Sequence, residues 1–292
     1  NMNKIRKAVI PTAGLGTRFL PITKAVPKSM LPIVDTPTID YIVDEAVAAG
    51  IEDIIIITSH NTDVIERHFS ENKELEERLL SDGKKELYRV LKHITARAKV
   101  TFVKQTVLNG LAGALLCAEE LLASEPFALL LGDEIIYTNP TEKPCIRQLC
   151  EAYEKAGRTV LSTMRVADGD VCKYGNIGVK TDGEIKEVSA LIEKPNESEK
   201  LSNYAIIGRY VLDGGIFGEI RKLKQRGSEI ILTEAFQALA ERGGIVASEF
   251  SGIRYDVGDK AGYVQANVEF ALRSAELNAA MRAYIGDLAK KL

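Results

Sequence analysis

The chain has 292 residues, of which 46% are hydrophobic and 27% are charged. These fractions are typical of a globular protein and exclude a disordered or low-complexity chain. The 38 basic and 41 acidic residues give a net charge of −3, and no basic block is present. This composition argues against nucleic acid and anionic membranes as partners. No apolar run approaches the ~20 residues that a membrane span needs, and we expect a cytoplasmic protein without a secretory signal.

Short apolar runs alternate with helical patterns over the first half of the chain. Strands are predicted at Lys7–Pro11, Asp53–Thr58, Lys99–Lys104, 127–131 and Thr159–Arg165, and helices at 38–49, 61–69, 111–122 and Cys145–Ala156. Four consecutive isoleucines at 54–57 are typical of a central buried strand. The alternation predicts an α/β protein with a mostly parallel central sheet and helices on both faces.

Two parts of the chain depart from this alternation. Residues 71–97 are highly charged and helical in composition, which predicts an insertion that is either a solvated excursion or a subunit contact. Later patterns predict strands at 174–179, 184–192, 203–212 and 245–250, helices at 215–224 and 233–242, and a helical tail over 260–292. Because no repeat or Pro/Ser-rich linker is present, we expect a single domain over 1–292, in which residues 174–212 belong to a smaller β-rich lid.

A glycine-rich loop follows the first predicted strand, where residues 11–18 read Pro-Thr-Ala-Gly-Leu-Gly-Thr-Arg. At the carboxyl end of a parallel strand, such a loop presents backbone N–H groups to an anion. Phe19 stands where a dinucleotide fingerprint requires its third glycine, and the Gly-Lys-Ser/Thr of a P-loop is missing. Prolines between residues 21 and 32 stiffen the next segment, so Arg18 and Lys28 form a pair of fixed cations suited to a polyphosphate.

Several polar residues follow the ends of predicted strands. Asp133 comes after the hydrophobic segment 129–131 and can bind a hard cation beside phosphates, although a lone Gly-Asp is also an ordinary turn. The amide of Gln105 offers both a hydrogen-bond donor and an acceptor to a ligand. Glu193 can accept hydrogen bonds from hydroxyl groups and Lys194 can contact a phosphate, whereas the alternative is a surface ion pair.

Residues 14–21 (Gly-Leu-Gly-Thr-Arg-Phe-Leu-Pro) and 27–32 (Pro-Lys-Ser-Met-Leu-Pro) resemble the motif of the sugar-1-phosphate nucleotidylyltransferase family. The resemblance runs in order from about residue 4 to about residue 270 and is greatest to the bacterial uridylyl subfamily, whose substrates are UTP and glucose 1-phosphate. It implies a Rossmann-like nucleotidyltransferase core with a β-rich sugar-binding lid. It also implies Mg²⁺ as the cofactor and a homodimer or homotetramer.

The same resemblance implies roles for residues at matching positions. These are Arg18, Lys28 and Lys194 as catalytic cations; Ala13, Gly14, Gly16, Gln105 and Gly110 for the nucleotide; Gly175, Glu193 and Lys194 for the sugar; and Asp133 and Asp256 for Mg²⁺. Two departures stand out. Glu134 replaces an aspartate of many relatives, and its role is open. Residues 110–114 read Gly-Leu-Ala-Gly-Ala where the uridylyl subfamily commonly has Gly-Leu-Gly-His-Ala.

Three alternatives remain beside uridylyl transfer to glucose 1-phosphate. The first is a thymidylyltransferase or another hexose-1-phosphate nucleotidylyltransferase. The second is a catalytically idle regulator that binds a sugar nucleotide, which the retained carboxylates and lysines disfavour. The third is an NAD-dependent dehydrogenase, which Phe19 and the absence of an acidic residue at the end of the second predicted strand disfavour.

Overall fold

The computed structural model describes residues 4–59 and 63–292. The strands in chain order are β1 Lys7–Pro11, β2 Pro32–Ile33, β3 Thr36–Pro37, β4 Asp53–Thr58, β5 Lys99–Lys104, β6 Phe127–Leu130, β7 Glu134–Tyr137, β8 Thr159–Arg165, β9 Gly175–Thr181, β10 Lys186–Glu193, β11 Tyr204–Leu212, β12 Ile245–Glu249 and β13 Ile253–Asp256. The helices are α1 Thr38–Ala48, α2 Asp63–His68, α3 Lys73–Ser81, α4 Lys85–Ala96, α5 Gly110–Leu122, α6 Cys145–Ala156, α7 Ile216–Ile220, α8 Leu232–Ala240, α9 Lys260–Arg273 and α10 Asn278–Ala289. The predicted start of the second helix at residue 61 lies outside the described residues.

The central sheet is mixed, with the strand order β5-β4-β1-β6-β11-β8-β12-β10-β9. Parallel pairing, predicted for most of the sheet, is found from β5 to β6 and between β8 and β12. The strands β11, β10 and β9 pair antiparallel with their neighbours, so the sheet as a whole is mixed rather than mostly parallel. Strands β9 and β10 are consecutive and joined by the short segment 182–185, which returns the chain antiparallel. The α/β class itself is confirmed.

Helices cover both faces of this sheet, as predicted. Ile55 and Ile57 of β4 lie in one core cluster with α5, α7 and α8, whereas Ile54 and Ile56 lie in a second cluster with α1 and α6. All four side chains are at most 3% exposed. Because successive side chains of a strand point to opposite faces, an uninterrupted isoleucine run stabilises a strand that is covered on both sides.

The charged insertion contains α3 and α4, and it is joined to α1 by ion pairs. The Arg97 guanidinium contacts Asp40, and its Nη1 lies 2.8 Å from Asp44 Oδ1. Leu87 and Val90 of α4 are 55% and 62% exposed. The subunit contact considered for this segment stays a prediction.

The last part of the chain supports a short ribbon that is separate from the central sheet. Strand β7 pairs antiparallel with β13 in a separate two-stranded ribbon. The Phe270 ring of α9 packs edge-on against Tyr41, Tyr137 and Tyr255, with ring centroids 4.9, 6.0 and 5.6 Å away. Helix α9 therefore fixes the ribbon against α1. Among the described residues, no helix is both long and apolar enough to traverse a bilayer.

Candidate active site

Two adjoining cavities open at the carboxyl ends of the parallel strands, where open α/β sheets bind ligands. The larger, about 760 Å³, is lined by the glycine-rich loop, Lys28, Gln105 and Gly110. The second, about 500 Å³, is lined by Arg18, Gly175, Glu193 and Asp256, among others. Asp133 and Lys194 line both cavities. Every site residue that the sequence predicted therefore lies on the wall of this double cleft.

The glycine-rich loop is folded so that one glycine is required and another faces open space. Gly16 has a left-handed φ of +63°, and a Cβ there would stand 3.2 Å from Lys28 Cβ, so a larger residue would be both strained and crowded. The Thr23 hydroxyl donates to the Gly16 carbonyl at 2.8 Å, which ties the loop to the segment that carries Lys28. A Cβ on Gly14 would meet nothing within 4 Å, which leaves this backbone accessible to a ligand.

The two predicted metal-binding carboxylates converge, although they are far apart in sequence. The register of the β7–β13 ribbon sets Glu134 opposite Asp256, so Asp133 precedes the ribbon at the same end. A methyl group on Gly258 would lie 3.0 Å from both Asp133 Oδ2 and Asp256 Oδ1, and these two oxygens are therefore no more than twice that distance apart. Arg18 Nη1 donates to the Gly258 carbonyl at 3.4 Å.

Lys28 keeps the first of these carboxylates charged. Its ammonium lies 2.9 Å from Asp133 Oδ2. Burial by itself raises the pKa of Asp133, but the charge and hydrogen bond of Lys28, together with a backbone hydrogen bond and the charge of Arg254, outweigh burial and bring the pKa below its ordinary range. Asp133 is therefore ionised at neutral pH, as a ligand for a cation must be.

The donor set fits a magnesium ion that also binds substrate. Over residues 4–59 and 63–292, no cluster of three or more His, Cys, Asp or Glu side chains has the arrangement of a metal site, so a cation here would have two carboxylate ligands from the protein. Mg²⁺ typically takes one or two carboxylates and completes its octahedron with water and substrate phosphates. Asp133 and Asp256 supply two hard oxygen donors at the border of the two cavities, which matches that requirement.

Glu134, whose role the sequence left open, is directed into the protein. It is 8% exposed, and its Oε2 accepts the Gly208 N–H at 2.9 Å while its Oε1 accepts Arg254 Nη2 at 2.7 Å. Arg254 was not predicted as a site residue, yet its Nη2 lies 3.3 Å from Asp256 Oδ2. A signal was present, because residues two apart on a strand share one face, and Arg254 precedes Asp256 by two.

Glu193 and Lys194, which were predicted to contact a sugar phosphate, do not pair with each other. Glu193 Oε2 accepts the Thr233 hydroxyl at 2.6 Å, and Thr233 is a second residue that the sequence did not reveal. Lys194 has a left-handed φ of +45°, a strained conformation for a residue with a side chain. Its N–H donates to the Tyr174 carbonyl at 3.1 Å. A Cβ on Gly175 would lie 3.3 Å from Glu193 Oε2, so this glycine keeps space beside the carboxylate.

In the larger cavity, Gln105 is 4% exposed, and its side chain is held by hydrogen bonds to the segment that follows it. Its Nε2 donates to Asn109 Oδ1 at 3.1 Å and to the Gly110 carbonyl at 3.3 Å. The Asn109 side chain lies against Gly113, where an added Cβ would stand 1.8 Å from Asn109 Oδ1. A histidine at 113, the residue common in the uridylyl subfamily, is incompatible with this placement of Asn109.

The chain is similar to known proteins over nearly its whole length. The family described as nucleotidyl transferase matches residues 7–272. A UTP–glucose-1-phosphate uridylyltransferase of Staphylococcus epidermidis is 44% identical over 98% of this chain and 99% of its own length. A solved "UTP-bound UGPase" from Acinetobacter baumannii has a TM-score of 0.90 at 33% identity, covering 97% of this chain and 99% of that one. A UDP-glucose pyrophosphorylase complexed with UDP-glucose has a TM-score of 0.84 at 35% identity, with coverages of 92% and 100%.

Proposed function

The chain belongs to the nucleotidyl transferase family, and on that premise we propose that it transfers the uridylyl group of UTP to glucose 1-phosphate, forming UDP-glucose and pyrophosphate. The observation that carries the proposal is the common border of the two cavities, which Asp133 and Lys194 both line. A nucleotide in the larger cavity and a sugar phosphate in the smaller one would meet with their phosphates at this border.

The reaction is an in-line displacement at phosphorus. A phosphate oxygen of glucose 1-phosphate attacks the α-phosphorus of UTP, a new O–P bond forms, and the bond from the α-phosphorus to the bridging oxygen breaks, so that pyrophosphate leaves with that electron pair. A phosphate monoester loses its second proton near pH 6, so the nucleophile needs no general base. Rate enhancement then comes from orienting two mutually repelling anions and from stabilising the charge of the transferring group.

The cations of the cleft suit these two tasks. Backbone N–H groups of residues 13–16 can bind phosphate oxygens of the nucleotide, and Lys28 and Arg18 approach the border of the cavities from the same segment. Lys194 lines both cavities and can orient the sugar phosphate. Mg²⁺ bound by Asp133 and Asp256 would supply further neutralisation of phosphate charge when present.

The recognition of base and sugar rests on fewer contacts. Gln105 is held by Asn109 and Gly110, and a fixed amide discriminates better among base edges than a mobile one. Glu193, with Thr233 donating to one oxygen, keeps acceptor capacity for sugar hydroxyls. Residues 174–212 accordingly belong to the sugar-binding lid. The match to uridylyltransferases over nearly the full chain favours UTP over dTTP.

Two further parts of the proposal concern the cell and the assembly. We place the enzyme in the cytoplasm, where both substrates of such a reaction are made. A homodimer or homotetramer is supported by the exposed apolar residues Leu87 and Val90 of α4, because adjacent apolar side chains on a charged surface are typical of a subunit contact.

Pyrophosphate release from a panel of nucleoside triphosphates and hexose 1-phosphates tests the activity. We expect release with UTP and glucose 1-phosphate, abolition by excess EDTA and restoration by Mg²⁺. Preference for dTTP would identify a thymidylyltransferase instead. Tight binding of UDP-glucose without any release of pyrophosphate would identify the idle regulator, and undiminished turnover in EDTA would disprove the role of Asp133 and Asp256.

A further inference from the structure

A buried arginine connects the carboxylate pair to the sugar side of the cleft. The Arg254 side chain is 10% exposed and lies on the wall of the smaller cavity. Its Nη2 donates to Glu134 Oε1 at 2.7 Å and to Asp256 Oδ2 at 3.3 Å. Its Nη1 lies 3.3 Å from the Tyr174 hydroxyl, and the guanidinium is 5.2 Å from the centroid of the Tyr174 ring.

These contacts direct the donors of Arg254 toward protein groups. One terminal nitrogen serves two carboxylates and the other serves the tyrosine hydroxyl, whereas Nε is buried without a partner among the described residues. A buried N–H without a partner costs free energy, so the position of this guanidinium is set by its terminal nitrogens and the tyrosine ring. A side chain held in this way acts on substrate through its neighbours.

The neighbour it acts on most directly is Asp256. Oδ2 of Asp256 accepts from Arg254, and Oδ1 accepts the Gly258 N–H at 3.0 Å. One donor on each oxygen fixes the rotation of the carboxyl group. Oδ1 is also the Asp256 oxygen that, like Asp133 Oδ2, lies 3.0 Å from the position a methyl group on Gly258 would take.

We propose that Arg254 is a positioning residue that, held by Glu134 and Tyr174, orients the Asp256 carboxylate toward Asp133 for binding of a divalent cation. The inference deepens the proposed function and rests on it. Residues that hydrogen-bond to a metal ligand and orient it raise the affinity for the metal. Their loss typically lowers that affinity about 10- to 100-fold. A planar fork is needed to reach two carboxylates and a hydroxyl together, so lysine should replace it only in part.

Tyr174 connects Arg254 to the residues predicted to bind the sugar. The Tyr174 carbonyl accepts the Lys194 N–H, and the next residue is Gly175, predicted to contact the sugar. Loss of Arg254 should therefore raise the KM for glucose 1-phosphate as well as weaken cation binding. The KM for UTP, whose base and glycine-loop contacts lie in the other cavity, should change less.

The test is a titration of the protein alone with Mn²⁺, in which free Mn²⁺ is read from its electron paramagnetic resonance signal. Arg254→Met and Glu134→Gln should each weaken Mn²⁺ binding about 10-fold or more, and Arg254→Lys should lie between them and the wild type. Glu134→Gln keeps an acceptor for Gly208 but removes the carboxylate beside Arg254. Arg165→Met is the matched control, because Arg165 also pairs with carboxylates and packs on a tyrosine ring but lies outside both cavities.

The outcomes separate the inference from the proposed function. Wild-type Mn²⁺ affinity in folded Arg254→Met, or a wild-type protein that binds no Mn²⁺, overturns the inference. If Arg254→Met does not fold, Arg254→Lys and Glu134→Gln decide by the same titration. Higher KM values for both substrates at unchanged Mn²⁺ affinity would mean that Arg254 contacts substrate directly. A wild-type enzyme that binds Mn²⁺ but releases no pyrophosphate refutes the proposed function and leaves the titration valid.

Discussion

Replacing Gly110 with alanine should destabilise the protein more than any ordinary glycine substitution and should also impair nucleotide binding. Gly110 begins α5 with a left-handed φ of +88°, and a Cβ there would stand 2.9 Å from Glu229 Cβ and 3.1 Å from the Ile230 carbonyl oxygen. The segment 229–230 is itself fixed to this turn, because the Ile230 N–H donates to the Asn109 carbonyl at 2.8 Å. The added methyl group therefore has to displace backbone.

The expected magnitude has two contributions. A residue with a side chain in a strained backbone region costs about 1–3 kcal/mol, and overpacking a fitted site costs another 1–3 kcal/mol or so. Together they lower the free energy of unfolding by roughly 2–6 kcal/mol. Gly157 is the matched control, since its φ is +63° and a Cβ there would meet nothing within 4 Å. Gly157→Ala should therefore lower the free energy of unfolding by the contribution of backbone strain alone.

The assay is urea unfolding of both variants, together with steady-state kinetics. Glu229 lines both cavities, so its displacement in Gly110→Ala should raise the KM for UTP, whereas Gly157→Ala should keep wild-type kinetics. If the two variants have free energies of unfolding within about 0.5 kcal/mol of each other, close to the error of the method, crowding by segment 229–230 is refuted.

Three other substitutions test the site and its support. Lys28→Ala should lower turnover by about 10²- to 10³-fold, the usual cost of one donor that stabilises a transferring group, with the free energy of unfolding nearly unchanged. Arg209→Met should cost about 3–5 kcal/mol in urea unfolding, because it leaves the Glu45 carboxylate buried without its cation. Burial raises the pKa of Asp40, but His68 and Arg97 outweigh it and hold the pKa below its ordinary 3.8. This carboxylate therefore stabilises the fold above pH 3.8 and loses that effect below it, so unfolding measured against pH should show a shallower acid decline in Asp40→Asn.

Each of these substitutions has a control. Lys24→Ala, on the neighbouring exposed turn, should leave turnover intact, and an equal loss in both lysine variants would remove Lys28 from the mechanism. The double variant Glu45→Met/Arg209→Met should recover much of the stability lost in Arg209→Met. If it does not, the unpaired Glu45 carboxylate is not the cause of the lost stability. Parallel acid declines in Asp40→Asn and the wild type would mean that Asp40 does not carry the pH dependence.

Features confined to one strand or one loop could be predicted from the sequence. The isoleucine run at 54–57 was correctly assigned to a strand covered on both faces, since its composition alone indicates burial. The glycine-rich loop and Lys28 could be placed on one rigid segment because the prolines restrict the local backbone. The direction of β11 could not be predicted, because an isolated apolar strand has the same pattern whether its neighbours run parallel or antiparallel.

The sequence alone determined which groups the site contains: a loop with free backbone N–H groups, its two cations, and carboxylates placed after strands. These are local properties, set by residue type and by short-range backbone restriction. Only the tertiary structure decided that Asp256 lies beside Asp133, that Arg254 is held between Glu134 and Asp256, and that segment 229–230 covers Gly110. The physical reason is that the register between distant strands is set by packing of the whole core. A short stretch of sequence does not contain that information.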